Sequence, residues 1–495
     1  MEVANYVGLK WFKCDLHLHT PQSKCFLDNC TPEEYIEKVK QEGLNVIAIT
    51  DHNSAGWIDK IKPLAQKNGI TIFPGVEITC SDSHIHFLVL FDTNATDQCI
   101  EDFLIALQMN RKEFGEEDAH INKTVSDLLE EVKKKELLVI PAHIDNFSGI
   151  SQVIDENIRE RFLANEFINS VQIVHKISMD NKILSEKDYS EVSVVNDKRN
   201  FQKISNTMNQ VNRNKICKLT FSDNPHHLDT NKHGINGIGN SYTWIKMKDE
   251  PDLESLRQAL IMGKERVKNI YEEAMVPYVL PNVWIEKLSF SNTALNAGRV
   301  DIDFSPQMTS IVGGRGTGKS SIISLLRGLI NNCPSVELKK ISEEFLTFYK
   351  VSEKRDTKGV LKNDTNIEVI INVDGDSYKI KKSKFLKNKE FDSVEVYKKG
   401  EDGDFNISED LILLKRINAE IYSQKEIFEI ANKTNTLLET IDFGNNEISI
   451  KNEMIKVSKE TYKNAFIENE NIKIKEEKIK EVIANLKIDE EKIMK

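Results

Sequence analysis

The chain has 495 residues, and 67 Lys+Arg against 78 Asp+Glu give it a net charge of -11. That balance excludes a cationic coat for nucleic acid over the whole surface and leaves room only for a local basic patch. At 39% hydrophobic and 29% charged residues, the sequence reads as globular, with a length that suits about three domains. No apolar run approaches the roughly 20 residues of a membrane span, so no membrane partner is expected. The N-terminus lacks the basic-then-apolar layout of a signal peptide. Seven scattered cysteines without a C-x-x-C pair argue against a disulfide framework and for a cytoplasmic location.

From residue 11 to about 275, short apolar runs alternate with helical patterns. WFKCDLHLH (11–19) reads as a strand, and Thr31-Pro32-Glu33-Glu34 opens a helix with a cap and a proline at its first position. Strand-like runs follow at 45–50, 69–79, 84–91, 136–143, 170–175 and 217–223, with a helix expected near 56–67. This alternation predicts an α/β domain whose strand-end loops carry the chemistry. After VPYVLPN (276–282), strands are expected at 283–290 and 308–312, a helix at 319–330, and a hairpin over 366–383 turning at Asp374-Gly375-Asp376. From about residue 445, Ile448, Ile455 and Tyr462, then Ile472, Ile479, Leu486 and Ile493, recur every seven residues. One seam of a coiled coil is expected there. The run reaches the end of the sequence without a stop signal, as if cut within a helix.

Six strand-like runs carry a histidine or carboxylate at or near one end: His17 and His19, Asp51 and His52, Glu77, His86, His143, and Asp223. On a strand, residues i and i+2 face the same way, so His17-Leu18-His19 offers two imidazoles to one ion. A lone histidine is more often a core or surface residue. Repetition at six strand ends is what points to a metal centre.

The motifs DLHLHT, ITDHNS, PGVEIT, HFLVLF, PAHID and FSDNPHH resemble, in order, those of the PHP (polymerase and histidinol phosphatase) family over about residues 11–275. The resemblance implies an α/β fold, a distorted (β/α)7 barrel, with two or three divalent ions at the strand C-termini. It places His17, His19, Glu77 and Asp223 around one ion, and has Glu77 bridge to a second held by His86 and His143. His52 would serve a third, with a ligand after the H-x-H and a histidine after Asp223. It implies catalytic roles for His17, His19, Glu77, His143 and Asp223.

Two departures leave the third site open. Lys24 and Cys25 stand where the family offers His or Asp, so a Cys25 thiolate, Asp28 or no residue completes it. The last motif reads Ser222-Asp223-Asn224-Pro225-His226-His227, making His226, or else His227, the candidate ligand. Mixed His and carboxylate donors suit Mn, Zn or Fe. Paired ions would lower the pKa of a bound water and clamp the oxygens of a phosphoester. Asp15 and Asp51 are candidates to orient the histidines, or else to cap turns.

Gly313-Gly314-Arg315-Gly316-Thr317-Gly318-Lys319-Ser320, followed by Ser321, satisfies G-x-x-x-x-G-K-[ST] between an expected strand and a helix. Its backbone N–H groups would cradle the phosphates of ATP, with Lys319 on the β/γ-phosphates and Ser320 on Mg²⁺. Together with LSFSN (288–292) and the coiled coil, the loop resembles the N-terminal lobe of SMC/ABC-type ATPases. Glu420-Ile421-Tyr422-Ser423-Gln424 looks like their Q-loop, in which Gln424 would reach Mg²⁺ and the attacking water. No apolar strand ending in Asp-Glu follows residue 445 and no L-S-G-G occurs. The resemblance therefore implies ATP binding with a second lobe supplied by a partner chain or lost. The segment Gly239–Val267 resembles the junction in TrlF-like PHP–ATPase fusions. Lysines between Lys379 and Lys399 are read as a solvated face before a nucleic-acid surface.

The expected organisation is thus a phosphoesterase domain at 1–275, an ATPase lobe at 276–444 and a coiled-coil start at 445–495. The expected function is a metal-dependent nuclease on DNA or RNA, with DNA favoured, controlled by the ATP-binding module. The resemblance further implies a role in DNA repair or anti-phage defence and a homo-oligomer formed through the ATPase lobe or coiled coil. The alternatives are a small-molecule phosphomonoesterase regulated by ATP and a non-catalytic SMC-like scaffold. A tight pocket around the ions would favour the phosphomonoesterase, and loss of ligands would favour the scaffold.

Overall fold

A computed structural model of the chain describes residues 6–83, 85–146, 149–153, 156–179, 198–227, 232–330, 339–352, 359–385, 393–408, 417, 419–432 and 446–493. They form two compact units, Met1–Pro281 with Phe304–Met308, and Asn282–Asp303 with Thr309–Lys495. No described helix is long and apolar enough to cross a membrane.

The first unit is built on β1 (Lys10–Leu18), β2 (Val46–Ile49), β3 (Thr71–Thr79), β4 (His86–Leu90), β5 (Leu138–Pro141), β6 (Ser170–Gln172), β7 (Cys217–Leu219), β8 (Thr243–Met247) and β9 (Val267–Asn269). One sheet runs β5-β4-β3-β2-β1-β8-β9, and β6 pairs with β7. The pairs β1–β2, β2–β3 and β6–β7 are parallel, whereas β4 lies antiparallel to both β3 and β5. Ile144 N–H donates to Gln172 O and Asp223 N–H to His17 O, which joins the β6–β7 pair to β5 on one side and β1 on the other. The result is the distorted (β/α)7 barrel.

Two apolar cores follow from strand alternation. Phe12, Cys14 and Leu16 of β1 join Val46, Ala48, Phe73, Leu88, Ile140 and Leu219 inside the barrel. Ile47, Ile49, Ile72, Val76 and Val89 face outward and meet the helices through Tyr35, Ile36, Ile58, Ile61, Phe103 and Leu128. The helix Pro32–Gln41 begins at Thr31 as expected, with a capping box in which Thr31 Oγ1 accepts from Glu34 N and Glu34 accepts from Thr31 N. The expected helix near 56–67 forms at Ile58–Lys67.

The second unit holds β10 (Val283–Ser291), β11 (Val300–Asp303), β12 (Asn366–Val373), β13 (Asp376–Ser383), β14 (Ser393–Lys399) and β15 (Phe405–Ser408). They form one antiparallel sheet in the order β11-β10-β12-β13-β14-β15. The expected hairpin is β12–β13, and both residues of its Asp374-Gly375 turn have positive φ (52° and 90°), as a type I′ turn needs. The helix Lys319–Leu329 buries Leu325, Leu326 and Leu329. The strand expected at 308–312 does not form: no described neighbour pairs with it, and Met308 and Val312 are 82% and 91% exposed. Apolar sequence alone cannot hold a strand that has no ladder partner. Asn446–Ile493 is one 48-residue helix. Ile455, Tyr462, Ile472 and Ile479 of its heptad seam are exposed, while the side chains of Ile448, Leu486 and Ile493 lie outside the described residues.

Candidate metal centre and phosphate loop

The barrel mouth gathers the strand-end residues around one carboxylate. β1 carries an extra residue against β2 between Asp15 and Leu18. Leu16 consequently packs in the inner core and Leu18 in the outer one. A bulge of this kind reverses the alternation and turns His17 and His19 toward the barrel axis. Because β4 runs antiparallel to β3, its first residue, His86, lies at the end of β3 near Glu77. His143 and Asp223, just beyond β5 and β7, and Asn53, next to His52, all have positive φ (28°, 54° and 47°). Such backbone in non-glycine residues is costly and collects at functional sites.

Glu77, 1% exposed, is the hub. Its Oε2 lies 3.2 Å from His17 Nε2, 3.3 Å from His19 Nε2 and 3.2 Å from His52 Nδ1. Its Oε1 lies 2.8 Å from His86 Nδ1 and 3.4 Å from His143 Nε2. Asp223 Oδ1 is 3.2 Å from both His17 Nε2 and His19 Nε2, which are themselves 3.2 Å apart. Among the described residues, the sets His17/His19/Glu77, His52/Glu77/His86 and His19/His52/His233 each bring donor atoms within 4.8 Å of one another.

The expected ligand His226, or else His227, is not in these sets: His226 Nδ1 lies 3.3 Å from the Asp28 carboxylate, and its ring packs edge-on to His227 at 4.3 Å. His233 instead stacks on His19 with centroids 3.8 Å apart. The excursion from Asp223 returns as Pro225 bridges His233, and Asn224 Nδ2 donates to both His19 O and Gly234 O. Gly234 permits this return, since a Cβ there would meet Asp28 Oδ2 at 2.5 Å and His226 Nδ1 at 2.7 Å. Cys25 and Asp28, the candidates after the H-x-H, belong to none of these sets among the described residues; Asp28 accepts from Ile235 N. The segment's contribution is Ser23.

Hydrogen bonds fix which ring nitrogen faces the carboxylates. Ser23 Oγ donates to Asp51 Oδ1 at 2.6 Å, so it accepts from His19 Nδ1 at 3.1 Å and leaves Nε2 of His19 turned toward Glu77 and Asp223. Gln172 Oε1, 2.8 Å from His17 Nδ1, does the same for His17. Asp51 therefore orients a histidine through Ser23. Asp15 holds backbone instead: it accepts from His17 N at 3.5 Å, from Ser222 N and Oγ and from Gly239 N, which ties β1 at His17 to the loop before Asp223. Burial raises the Asp15 pKa to about 6.

The electrostatics are those of a cation site. Burial opposes charge on His19, yet Asp223 and Glu77 outweigh it and push its pKa to about 10. His17 and His86 are raised by the same carboxylates against their burial. Burial holds His52 well below its ordinary value and His233 at about 4. The imidazoles hold the Glu77 and Asp223 carboxyls well below the carboxylate range despite burial.

The residues fit divalent ions. His52 Nε2 and His143 Nδ1 are buried without a hydrogen-bond partner among the described residues, and imidazole nitrogens and carboxylate oxygens converge. Such acceptors repel one another unless a cation or protons lie among them. Ligands at about 2.1 Å from an ion sit roughly 3.0–3.4 Å apart for angles between 90° and 109°, the spacing found around Glu77 Oε2 and Asp223 Oδ1.

In the second unit, Lys319 Nζ donates to Gly313 O and Gly314 O, both at 2.6 Å, and Thr317 Oγ1 donates to Gly314 O at 2.9 Å. Gly316 and Gly318 take positive φ (82° and 90°), which lets the loop curl around the ammonium. Arg315 and Ser320 are exposed, Ser321 is half-buried at the start of the helix, and Gln424 is exposed as the first residue of the helix Gln424–Asn432. That helix is anchored by a buried bidentate pair, Arg327 Nη1 and Nη2 to Glu426 Oε2 and Oε1 at 2.8 and 3.0 Å. Lys382, within the lysine-rich run, is buried and donates to Gly328 O at 3.0 Å. Lys379 lies 4.8 Å from the centroids of both Tyr397 and Phe405.

A family model described as "PHP domain" matches residues 15–212. A "5'-3' exoribonuclease" of Haemophilus influenzae is 36% identical over 67 residues, 14% of this chain and 23% of that protein, so the match spans about a quarter of the relative. Among solved structures, the lesion-specific endonuclease PfuEndoQ from Pyrococcus furiosus is similar at 17% identity and a TM-score of 0.37, over 52% of this chain and 58% of that one. A structure of SMC ATPases is similar at 19% identity and a TM-score of 0.20, over 30% of this chain and 92% of that one.

Proposed function

We propose that this chain, which carries a PHP domain over residues 15–212, is a metal-dependent phosphoesterase that cleaves nucleic acid under the control of a nucleotide bound at Gly313–Ser320. The observation that carries the reading is the convergence of five imidazoles on the two oxygens of Glu77. His17, His19, Glu77 and Asp223 would hold one divalent ion, Glu77, His86 and His143 a second, and His52 with His233 a third. Manganese, zinc or iron suits these donors, and when bound would supply a nucleophile at neutral pH and neutralise the phosphoester. The protein's own part is orientation. Gln172 and the Ser23–Asp51 pair keep Nε2 of His17 and His19 turned toward the carboxylates, and the strand ends keep Glu77 between the two groups of imidazoles. A centre of this charge lets a chain of net charge -11 hold a polyanion.

A polynucleotide substrate is supported by the 36%-identical stretch shared with an enzyme named as an exoribonuclease. It also accords with the resemblance of Gly313–Ser320 and LSFSN (288–292) to SMC/ABC-type ATPases. Nucleotide binding is supported by the loop curled around Lys319. The test uses purified protein with Mn²⁺ on labelled single- and double-stranded DNA and RNA, each with and without ATP. Cleavage is expected, and the double variant His17→Ala/His19→Ala should lose it while binding ATP as the parent does. Cleavage that survives both this variant and chelation contradicts the reading.

A further inference from the structure

Gln172 ends β6, a strand that no motif marks. Its side chain is buried, with 1% of the residue exposed. One atom, Oε1, meets two neighbours: His17 Nδ1 at 2.8 Å and the backbone N–H of His143 at 3.3 Å. A backbone N–H only donates, so the amide oxygen must face this way, and His17 must offer Nδ1–H to it. The amide nitrogen on the other side is buried and has no hydrogen-bond partner among the described residues. Packing alone would not select such a group, because an apolar side chain of the same length would fill the space without stranding a donor. The carbonyl is therefore the part with a task.

That task links the two halves of the centre. His17 belongs to the group around Glu77 Oε2 and Asp223, and His143 to the group around Glu77 Oε1. His143 is held in left-handed backbone at φ 28°, and its N–H is one of the groups by which that conformation is anchored. Resting on the reading of His17 and His143 as ligands, we propose that Gln172 is a positioning residue. It fixes the His17 tautomer and ties His17 to His143, so that one carbonyl sets the geometry of both ion sites.

The test compares Mn²⁺ affinity of the full chain, measured by equilibrium dialysis, for the parent, Gln172→Met and Gln172→Glu, with melting temperatures taken alongside. Met keeps the length and removes the acceptor; Glu restores an acceptor for both donors. Gln172→Met should weaken Mn²⁺ binding by about tenfold to a hundredfold, as loss of a partner that orients a ligand does. Gln172→Glu should stay within a few-fold of the parent. Parental affinity in Gln172→Met overturns the proposal. So does equal weakening in both variants at unchanged melting temperature, since the contact would then be packing alone. A parent that binds no Mn²⁺ refutes the metal centre itself, and this role with it.

Discussion

Replacing His233 and His226 separately by alanine distinguishes the histidine expected from sequence from the one the fold supplies. His233 is 6% exposed, stacks on His19 and belongs to the His19/His52/His233 set. His226 is half-buried and pairs with Asp28 outside that set. Losing even an orienting partner of a ligand costs about tenfold to a hundredfold in metal affinity, or roughly 1.4–2.8 kcal/mol; losing a ligand should cost at least as much. The stacking lost with the His233 ring adds about 0.5–1.5 kcal/mol of stability. The partly exposed His226–Asp28 pair is worth roughly 0–1 kcal/mol. Equilibrium dialysis with Mn²⁺ and elemental analysis should therefore find one ion fewer per chain in His233→Ala and parental stoichiometry in His226→Ala. The reverse pattern would refute the assignment.

Lys319→Ala should weaken ATP binding at least about tenfold, because a cation on the phosphates is lost, and unchanged affinity by calorimetry would show that the loop does not bind nucleotide. Arg327→Met strands Glu426 in a buried site and should cost about 3–5 kcal/mol; a melting temperature equal to the parent's would deny that the pair anchors the helix Gln424–Asn432. Metal affinity should rise between pH 6 and 8. His17 and His19, whose pKa values lie above the ordinary imidazole value (His19 at about 10), hold protons that an ion must displace, and each proton released adds up to about tenfold per pH unit. A flat profile would contradict protonated imidazoles in the metal-free centre.

The strand ends were legible because metal chemistry needs particular residue types at places that alternation marks. His17, His19, Glu77, His86, His143 and Asp223 stand out against apolar runs, and the barrel brings them together. Thr31 and Asp374-Gly375 were legible for a similar reason, since a capping box and a type I′ turn depend on local chemistry alone. His233 was hidden because ten residues separate it from Asp223. Only tertiary contacts, the Pro225–His233 bridge and the Asn224 bonds, return it to the mouth. Gln172 and Ser23 act through hydrogen bonds to imidazole Nδ1, which leave no spacing in the sequence; the nearest signal was their position at or beside strands that carry ligands. The bulge in β1 was equally silent, although it is what aims the H-x-H inward. The strand expected at 308–312 failed because a strand is a property of two chain segments and an apolar run describes one.

The most direct measurement is anomalous diffraction from crystals of the protein soaked in Mn²⁺, recorded on both sides of the manganese absorption edge. At least two edge-dependent peaks a few ångströms apart are expected, one among His17, His19, Glu77 and Asp223 and one among Glu77, His86 and His143. Full soaking with no peak within ligand distance of Glu77, or peaks only at surface carboxylates, would contradict a metal centre at the barrel mouth.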